Sequence, residues 1–338
     1  MDAIDAKILR ILLSESRTSF TTIADECKIT VAAVRVRYKN LWKEGVINGE
    51  KMLVNPHCLG YRLIVDLGIT NSVENEKEIK KFLESKPYIS EVIGPLGKYN
   101  FYGKVALLDL NKLREIIEDL EANSNISHVD AIIWAEAVNI EYPQNLIIGP
   151  LGRENELANK TSLAVTNEDQ TSFEIDDTDK KIAKILSENS RTPFDKIARD
   201  LDLSPKTVMN RYKKLRLNLL PLSTITLDLN KLGYNALANL YVKVSNRRLS
   251  EIYSSLLQIP NLIVIIKLLG PYDLYCAIAL EDFEQMFQAN EKIRRINGVE
   301  TIDTFLTKMP PSWPLNLFPS LLENETMQPK YWPSKPQT

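Results

Sequence analysis

The chain has 338 residues, of which 44% are hydrophobic and 25% charged, and its formal net charge is −2. This balance excludes a wholly disordered or fibrous chain and a uniformly basic nucleic-acid coat, and the length predicts about two units of roughly 150 residues. Three scattered cysteines, no apolar run of about 20 residues and no secretory signal at the start together predict a cytoplasmic protein with reduced thiols.

The first elements predicted along the chain are three short helices. The first places Ile4, Ile8 and Leu12 on one face, a break follows at residues 16–18, and a second helix begins at Phe20. Thr30 is the predicted N-cap of the third helix. Residues 45–55 then predict a β-hairpin wing, because glycines flank a short apolar turn.

An αβ unit follows the helices. Its predicted elements are a strand over 62–70, a helix over 76–85, strands over 89–95 and 101–108, a helix over 110–122 and a strand over 129–135. This order is β-α-β-β-α-β, which is typical of a ferredoxin-like fold. Its helices cover one face of the sheet, so the other face is expected to be covered by a second sheet of the same kind.

The chain then repeats itself. Residues 5–41 align with 179–215 without a gap, and 16 of the 37 positions are identical. The predicted fold class is therefore α+β, with two tandem copies of a winged helix-turn-helix followed by a ferredoxin-like domain. The predicted divisions are helix-turn-helix units over 1–55 and 175–229, αβ domains over 56–137 and 230–308, an acidic polar linker over 138–174 and a proline-rich tail over 309–338.

The third helix of each copy has a basic face. Residues 29–43 contain four bases and no acid, and residues 203–216 contain five bases and no acid. A solvated helix face is the simpler interpretation, but recurrence on the same three-helix frame favours DNA binding. Arg37 and Arg211 are predicted phosphate or base contacts, and the two half-sites are expected to differ. The full predicted DNA-binding set is Thr30, Ala32, Ala33, Arg35, Arg37, Lys39, Ser204, Lys206, Thr207, Met209, Asn210, Arg211, Lys213 and Lys214.

The chain resembles the Lrp/AsnC (feast-famine) transcriptional regulators over about 4–137 and 178–308. The motifs that carry the resemblance are Ile4-Asp-x-x-Ile8-Leu-x-x-Leu12, Thr30-x-x-x-Val34-x-x-Arg37-x-x-x-Leu41 and Leu203-Ser204-Pro205-x-Thr207-Val208-x-x-Arg211. The resemblance implies a regulator that binds double-stranded DNA as a pseudo-dimer or higher oligomer. It also implies that the αβ domain, called RAM in the family, oligomerises and binds amino-acid effectors.

By the same resemblance, the glycine loop of each αβ domain contributes to an effector site. The matching positions are Gly97, Tyr99, Asn100, Gly270, Tyr272 and Asp273. A plain hairpin turn is the alternative interpretation of each loop.

Two alternatives to a regulator stay open. One is an assembly protein that kept the fold without binding DNA. The other is an enzyme similar to siroheme decarboxylases, which resemble fused Lrp/AsnC pairs. His57 and His128 are the only histidines and neither has a cysteine at metal-ligand spacing, so the sequence predicts no metal, cofactor or catalytic residue.

Overall fold

The computed structural model describes residues 1–94, 96–135, 146, 148, 174–245 and 249–323. The predicted linker therefore lies outside the described residues except at Leu146, Ile148 and Glu174, and the tail is described only to Glu323. Leu146 and Ile148 are buried in the apolar cluster of the first three-helix unit, so at these two positions the segment is not solvated as predicted. Among the described residues, no helix is both long and apolar enough to cross a membrane.

Each copy begins with three helices, as predicted. They are α1 (Ala3–Ser14), α2 (Phe20–Cys27) and α3 (Val31–Lys43), then α6 (Asp177–Glu188), α7 (Phe194–Asp200) and α8 (Pro205–Leu217) in the second copy. Acidic capping boxes start the first helix of both copies, Asp2 with Asp5 and Asp176 with Asp179. We call each three-helix unit a head.

The prediction that the wing is a hairpin within one copy is wrong. Residues after α3 form a single strand, β1 (Ile47–Leu53), which pairs antiparallel with β6 (Leu222–Leu227) of the other copy. Gly49 permits this approach, because a Cβ there would lie 2.5 Å from the hydroxyl oxygen of Thr226. Gly49 therefore lies in a strand that pairs with a strand of the other copy, and this pairing joins the two heads.

The two αβ domains have the predicted β-α-β-β-α-β order. In the first copy the elements are β2 (Leu63–Asn71), α4 (Glu76–Glu84), β3 (Ile89–Ile93), β4 (Phe101–Leu107), α5 (Leu110–Glu121) and β5 (Ile126–Trp134). In the second they are β7 (Ala236–Val244), α9 (Leu249–Leu256), β8 (Leu262–Leu269), β9 (Leu274–Leu280), α10 (Phe283–Arg294) and β10 (Val299–Lys308). The helices pack on one face of their own sheet and bury a separate apolar core in each domain.

The two sheets join at their edges into one eight-stranded sheet of order β10-β7-β9-β8-β5-β2-β4-β3. Ile133 pairs with Leu269 where β5 meets β8, and Leu96 pairs with Leu306 at the equivalent place on the other side. These pairs are related by the sequence repeat. The sheets also contact each other through their faces, where Tyr102 stacks on Phe305 with ring centroids 4.5 Å apart, so the expected cover of one sheet by the other is present.

The first part of the tail packs against the strands that join the heads. Trp313 is buried and pairs with Leu227 of β6, and Asn316 donates to the backbone oxygens of Met52 and Ser187. Residues 309–316 therefore run from the second αβ domain back to the heads, and we call this segment the strap.

Candidate nucleic-acid interface

The third helix of each head, α3 or α8, is its candidate recognition helix, and the two begin at the predicted N-cap Thr30 and at Ser204. Thr30 Oγ1 accepts a hydrogen bond from the backbone N of Ala33 at 3.2 Å, and Ser204 Oγ accepts one from Thr207 N at 3.0 Å. Each cap satisfies a backbone donor that would otherwise lack a partner in the first turn. The hydroxyl oxygens of Thr30 and Ser204 are thus occupied by the helix start.

Each recognition helix turns one face into its head. Val34 and Leu41 of α3 and Val208 and Leu215 of α8 are buried at the same helical spacing. Because this apolar face is held inside, the opposite face of each helix points into solvent.

Arg37 does not point into solvent. One of its terminal nitrogens lies 2.7 Å from Asp2 and 2.8 Å from Asp5 at the start of α1. Hydrogen bonds to Asp5 and Asp2 raise the pKa of Arg37. The structure thus gives this predicted DNA contact a role in attaching the recognition helix to the first helix.

Arg211 makes the same contacts in the second head, at 2.7 Å from Asp176 and 2.7 Å from Asp179. Lys214 joins them, 3.2 Å from the fully buried Asp179, and donates to the backbone oxygen of Glu174. Direct DNA contact by Arg37, Arg211 or Lys214 stays a prediction, and it requires the side chain to leave these carboxylates.

Other predicted contacts remain on the outer surface. The exposed ones are Ala32, Arg35, Lys39, Lys206, Met209, Asn210 and Lys213, while Ala33 and Thr207 are half-buried. Within the described part of the chain, no carboxylate forms an ion pair with Arg35, Lys39, Lys206 or Lys213. These side chains leave a cationic face on each head.

The heads meet at a motif that the repeat contains twice, Ser-Arg-Thr at residues 16–18 and 190–192. The hydroxyl oxygens of Ser16 and Ser190 lie 2.6 Å apart and are fully buried. Ser16 also lies 2.6 Å from the hydroxyl of Ser223 on β6. The identity of these positions in the repeat was the available signal for an interface, and sequence reasoning treated them only as a break between helices.

The arginines of this motif cross between the heads. Arg191 donates to the backbone oxygen of Thr18 at 3.0 Å and lies over the ring of Phe20. Arg17 contacts the second head in the same way, with its guanidinium 4.5 Å from the ring centroid of Phe194. Such cation–π contacts are strongest when the cation is shielded from water. The two heads are therefore held as one pseudo-symmetric body.

One carboxylate breaks this symmetry. Glu50 of β1 is buried, lies 2.8 Å from Arg191 and accepts a hydrogen bond from Tyr38. Burial raises the pKa of Glu50. Residues 217–227 of the second copy contain no acid, so this stretch offers Arg17 no carboxylate equivalent to Glu50.

The predicted effector loops are fastened to their own domains. Asn100 accepts from Asn71 N at 2.9 Å, and Asp273 accepts from Val244 N at 2.8 Å and pairs with Lys243. Asn100 and Asp273 accept equivalent backbone hydrogen bonds, so asparagine replaces aspartate in the first copy without loss of this contact. They close the loop onto the end of a strand.

The tyrosines of the loops each donate to an aspartate on the last strand of their domain. Tyr99 donates to Asp130 at 2.5 Å, and Tyr272 donates to Asp303. The glycines differ. A Cβ on Gly97 would lie 2.5 Å from the Cβ of Phe305, whereas Gly270 has open space around it. Gly97 is thus a contact between copies, and an effector site at either loop stays a prediction.

Some known proteins match one copy of this chain, and others match the whole chain. The AsnC-type helix-turn-helix domain matches residues 175–216, and a winged helix-turn-helix DNA-binding domain matches residues 1–48. The HTH-type transcriptional regulator FL11 of Pyrococcus furiosus is 30% identical over 133 residues, which are 39% of this chain and 88% of that protein. The chain belongs to the Lrp/AsnC family. LrpA of Pyrococcus horikoshii, 32% identical over 119 residues, covers 35% of this chain, and 84% of LrpA is matched.

One solved structure matches nearly the whole chain. The siroheme decarboxylase NirDL has a TM-score of 0.63 and 13% identity, with 95% of this chain and 97% of that chain aligned. At this identity the likeness shows the fold alone. Because the match covers nearly all of both chains, the fold is shared over the whole length of this chain.

The αβ body of this Lrp/AsnC chain is asymmetric where its two sheets face each other. In the first copy, buried Asp66 pairs with Lys104 and accepts a hydrogen bond from Trp134 at 2.7 Å. In the second copy, Asn239 stands at the position of Asp66 and accepts from Tyr275 at 2.6 Å. Sequence reasoning missed these residues, because nothing local to either strand shows that they meet.

Proposed function

We propose that the protein is a sequence-specific, double-stranded-DNA-binding transcriptional regulator whose two heads act together as a pseudo-dimer. The observation that carries this proposal is the pair of outward cationic recognition helices on heads that are joined by β1 and β6. Regulators with one copy per chain need two chains to present two such helices. Here a single chain presents both.

Electrostatics favour the second head as the stronger binder. Residues 175–223 contain 11 bases and seven acids, a net charge of +4, whereas the equivalent residues 1–50 contain eight bases and seven acids, a net charge of +1. Phosphate contacts release counterions from DNA, so affinity rises with the number of cations placed on the backbone. The first head then binds at the high effective concentration that its attachment to the second supplies.

An amino acid or related molecule is the proposed effector, at the loops that contain Gly97 and Gly270. Glycine allows close backbone approach to a ligand, and the loops lie where one copy contacts the other. A ligand bound at these loops is coupled to the heads through the strap, which leads from the second αβ domain to β6.

The assembly-protein alternative gives no reason for two unpaired cationic faces. The decarboxylase alternative rests on the fold shared with NirDL, and its chemistry is that protein's own. In this chain, His128 is exposed beside Asp130, and His57 lies between the first head and the αβ domain. A haem-like absorbance band of the purified chain after incubation with an iron tetrapyrrole would favour the enzyme.

The test is binding of the full chain to duplex DNA across a salt titration. We expect the double variant Lys206→Ala/Lys213→Ala to lower affinity by about tenfold or more and to reduce the log–log salt slope by about two, since each phosphate contact contributes roughly 0.9. The matched control is Lys77→Ala/Lys292→Ala, which removes two exposed lysines from the αβ domains. Failure to bind any duplex at low ionic strength contradicts the proposed function.

A further inference from the structure

Each recognition helix carries one row of side chains directly opposite its buried face. At 3.6 residues per turn, these are the second, sixth, ninth and thirteenth residues of the helix. In the first head the row is Ala32, Val36, Lys39 and Lys43, and in the second it is Lys206, Asn210, Lys213 and Leu217. All eight side chains are exposed.

The rows agree at their third position and differ at the other three. Lys39 and Lys213 occupy the same position of the repeat, where a lysine suits a phosphate in either head. The first two positions are Ala32 and Val36 in one head and Lys206 and Asn210 in the other. These are the positions nearest the helix start, which in helix-turn-helix proteins meets the base edges.

Val36 is 58% exposed, so the fold leaves its apolar side chain available to a partner. An apolar side chain on the outer row of a basic helix makes sense where it meets an apolar partner. In the major groove the apolar group on a base edge is the methyl of thymine. Ala32 one turn earlier extends the same methyl-bearing surface.

Asn210 presents the opposite chemistry at the equivalent position. Its amide has one acceptor and two donors, which match N6 and N7 of adenine in a bidentate pair. Lys206 precedes it by one turn and suits the acceptors of guanine. At these first two positions, the second head therefore has a polar surface for purines, where the first head has an apolar surface for thymine.

The two surfaces cannot exchange places. Pairing of β1 with β6, the Ser16–Ser190 contact and the crossed arginines hold one head of each kind in every molecule. A symmetric dimer of identical chains reads both half-sites alike. This chain has different recognition surfaces in a set order.

Resting on the proposed function, we infer that the chain recognises a non-palindromic DNA element, with thymine contacted by Val36 in one half-site and adenine contacted by Asn210 in the other. Such an element has a direction, so the bound protein takes a defined orientation relative to a neighbouring gene. Asn210 and Val36 are the specificity-determining pair.

The experiment is selection of bound duplexes from random DNA by the full-length wild type, Asn210→Val and Val36→Asn. We expect the wild type to select an asymmetric element, and Asn210→Val to lose about tenfold of the adenine preference in one half-site. Val36→Asn should shift the other half-site from thymine towards adenine. Thermal unfolding of all three proteins serves as the folding control, because both side chains are exposed.

The outcomes separate this inference from the proposed function. Salt-dependent binding with a palindromic consensus, or with a consensus that both variants leave unchanged, overturns the asymmetric readout and leaves the regulator in place. Absence of binding to every duplex at low ionic strength overturns both. A reciprocal effect, in which each variant changes only its own half-site, is the result we expect.

Discussion

The two heads are alike inside and different outside. Arg37 and Arg211 hold their recognition helices by the same pair of carboxylates, at distances that agree within about 0.1 Å. On the outer row, Val36 and Asn210 have nothing in common chemically. Positions that hold a head together repeat, whereas outward positions are free to differ without affecting the packed interior.

The αβ domains differ in the opposite place, inside. Asp66 and Lys104 of the first copy correspond to Asn239 and Ala277 of the second, and all four lie in the region where the sheets meet. One copy fills the position with a buried ion pair and the other with a neutral amide. Both arrangements satisfy the polar atoms, which is what a buried site demands.

The largest expected effect comes from breaking the ion pair of the first copy. Lys104→Ala leaves the carboxylate of Asp66 buried without its counter-charge, and Trp134 is then its one remaining hydrogen-bond donor among the residues that the structure describes. Removing one partner of a buried pair is strongly destabilising, and we expect a loss of about 3 kcal/mol in the free energy of unfolding. Urea denaturation measures it.

The arrangement in the second copy indicates a double variant that should restore stability. Asp66→Asn combined with Lys104→Ala copies the Asn239–Ala277 arrangement, and we expect stability within about 1 kcal/mol of wild type. If the double variant is as unstable as Lys104→Ala, the lysine contributes through its packing over Trp134 and not through its charge.

A smaller effect should separate the two heads. Arg211→Ala combined with Lys214→Ala removes both cationic partners from Asp179, which is fully buried, whereas Arg37→Ala removes one from Asp5, whose side chain is 15% exposed. We expect losses of about 2 kcal/mol and about 1 kcal/mol, because water screens the more exposed carboxylate better. Chemical denaturation of each variant gives the comparison.

Lys213→Ala is the matched control, since it lies two residues from Arg211 and forms no ion pair in the described structure. It should weaken DNA binding and leave stability unchanged. Equal stability of the Arg211→Ala/Lys214→Ala variant and wild type, together with lost DNA binding, would restore Arg211 or Lys214 as a direct DNA contact.

Local patterns predicted the helices, their caps and the order of the strands, because each depends on neighbours within a few residues. The partner of β1 was not predictable in this way. It lies about 175 residues away, and the Gly45–Gly49 segment is as compatible with a turn as with a strand. Arg37 shows the same limit, since its basic charge predicted DNA contact but its geometry depends on how α1 meets α3.

Glu50 gives the smallest expected effect, and its sign is the informative part. Glu50 is a buried acid of the first head whose equivalent in the second head is Ser223, and Arg191, Tyr38 and Arg17 lie around it. Burial raises the pKa of Glu50 in the folded protein, although Arg191 and Tyr38 act in the other direction. Burial of the charge therefore outweighs its ion pair.

A raised folded pKa means that the stabilising contribution of Glu50 is complete below its unfolded pKa of about 4.3 and is lost as the pH rises through the folded value. Glu50→Gln lacks this titration. We expect its stability relative to wild type to increase between about pH 4 and pH 7, by at most about 1 kcal/mol. Aspartates with lowered pKa values, such as Asp130, make both proteins less stable in acid. Their contribution therefore cancels when the two stabilities are subtracted. A difference that shrinks as the pH rises would mean that the ion pair with Arg191 dominates, and Glu50 would then be a charged clamp between the heads.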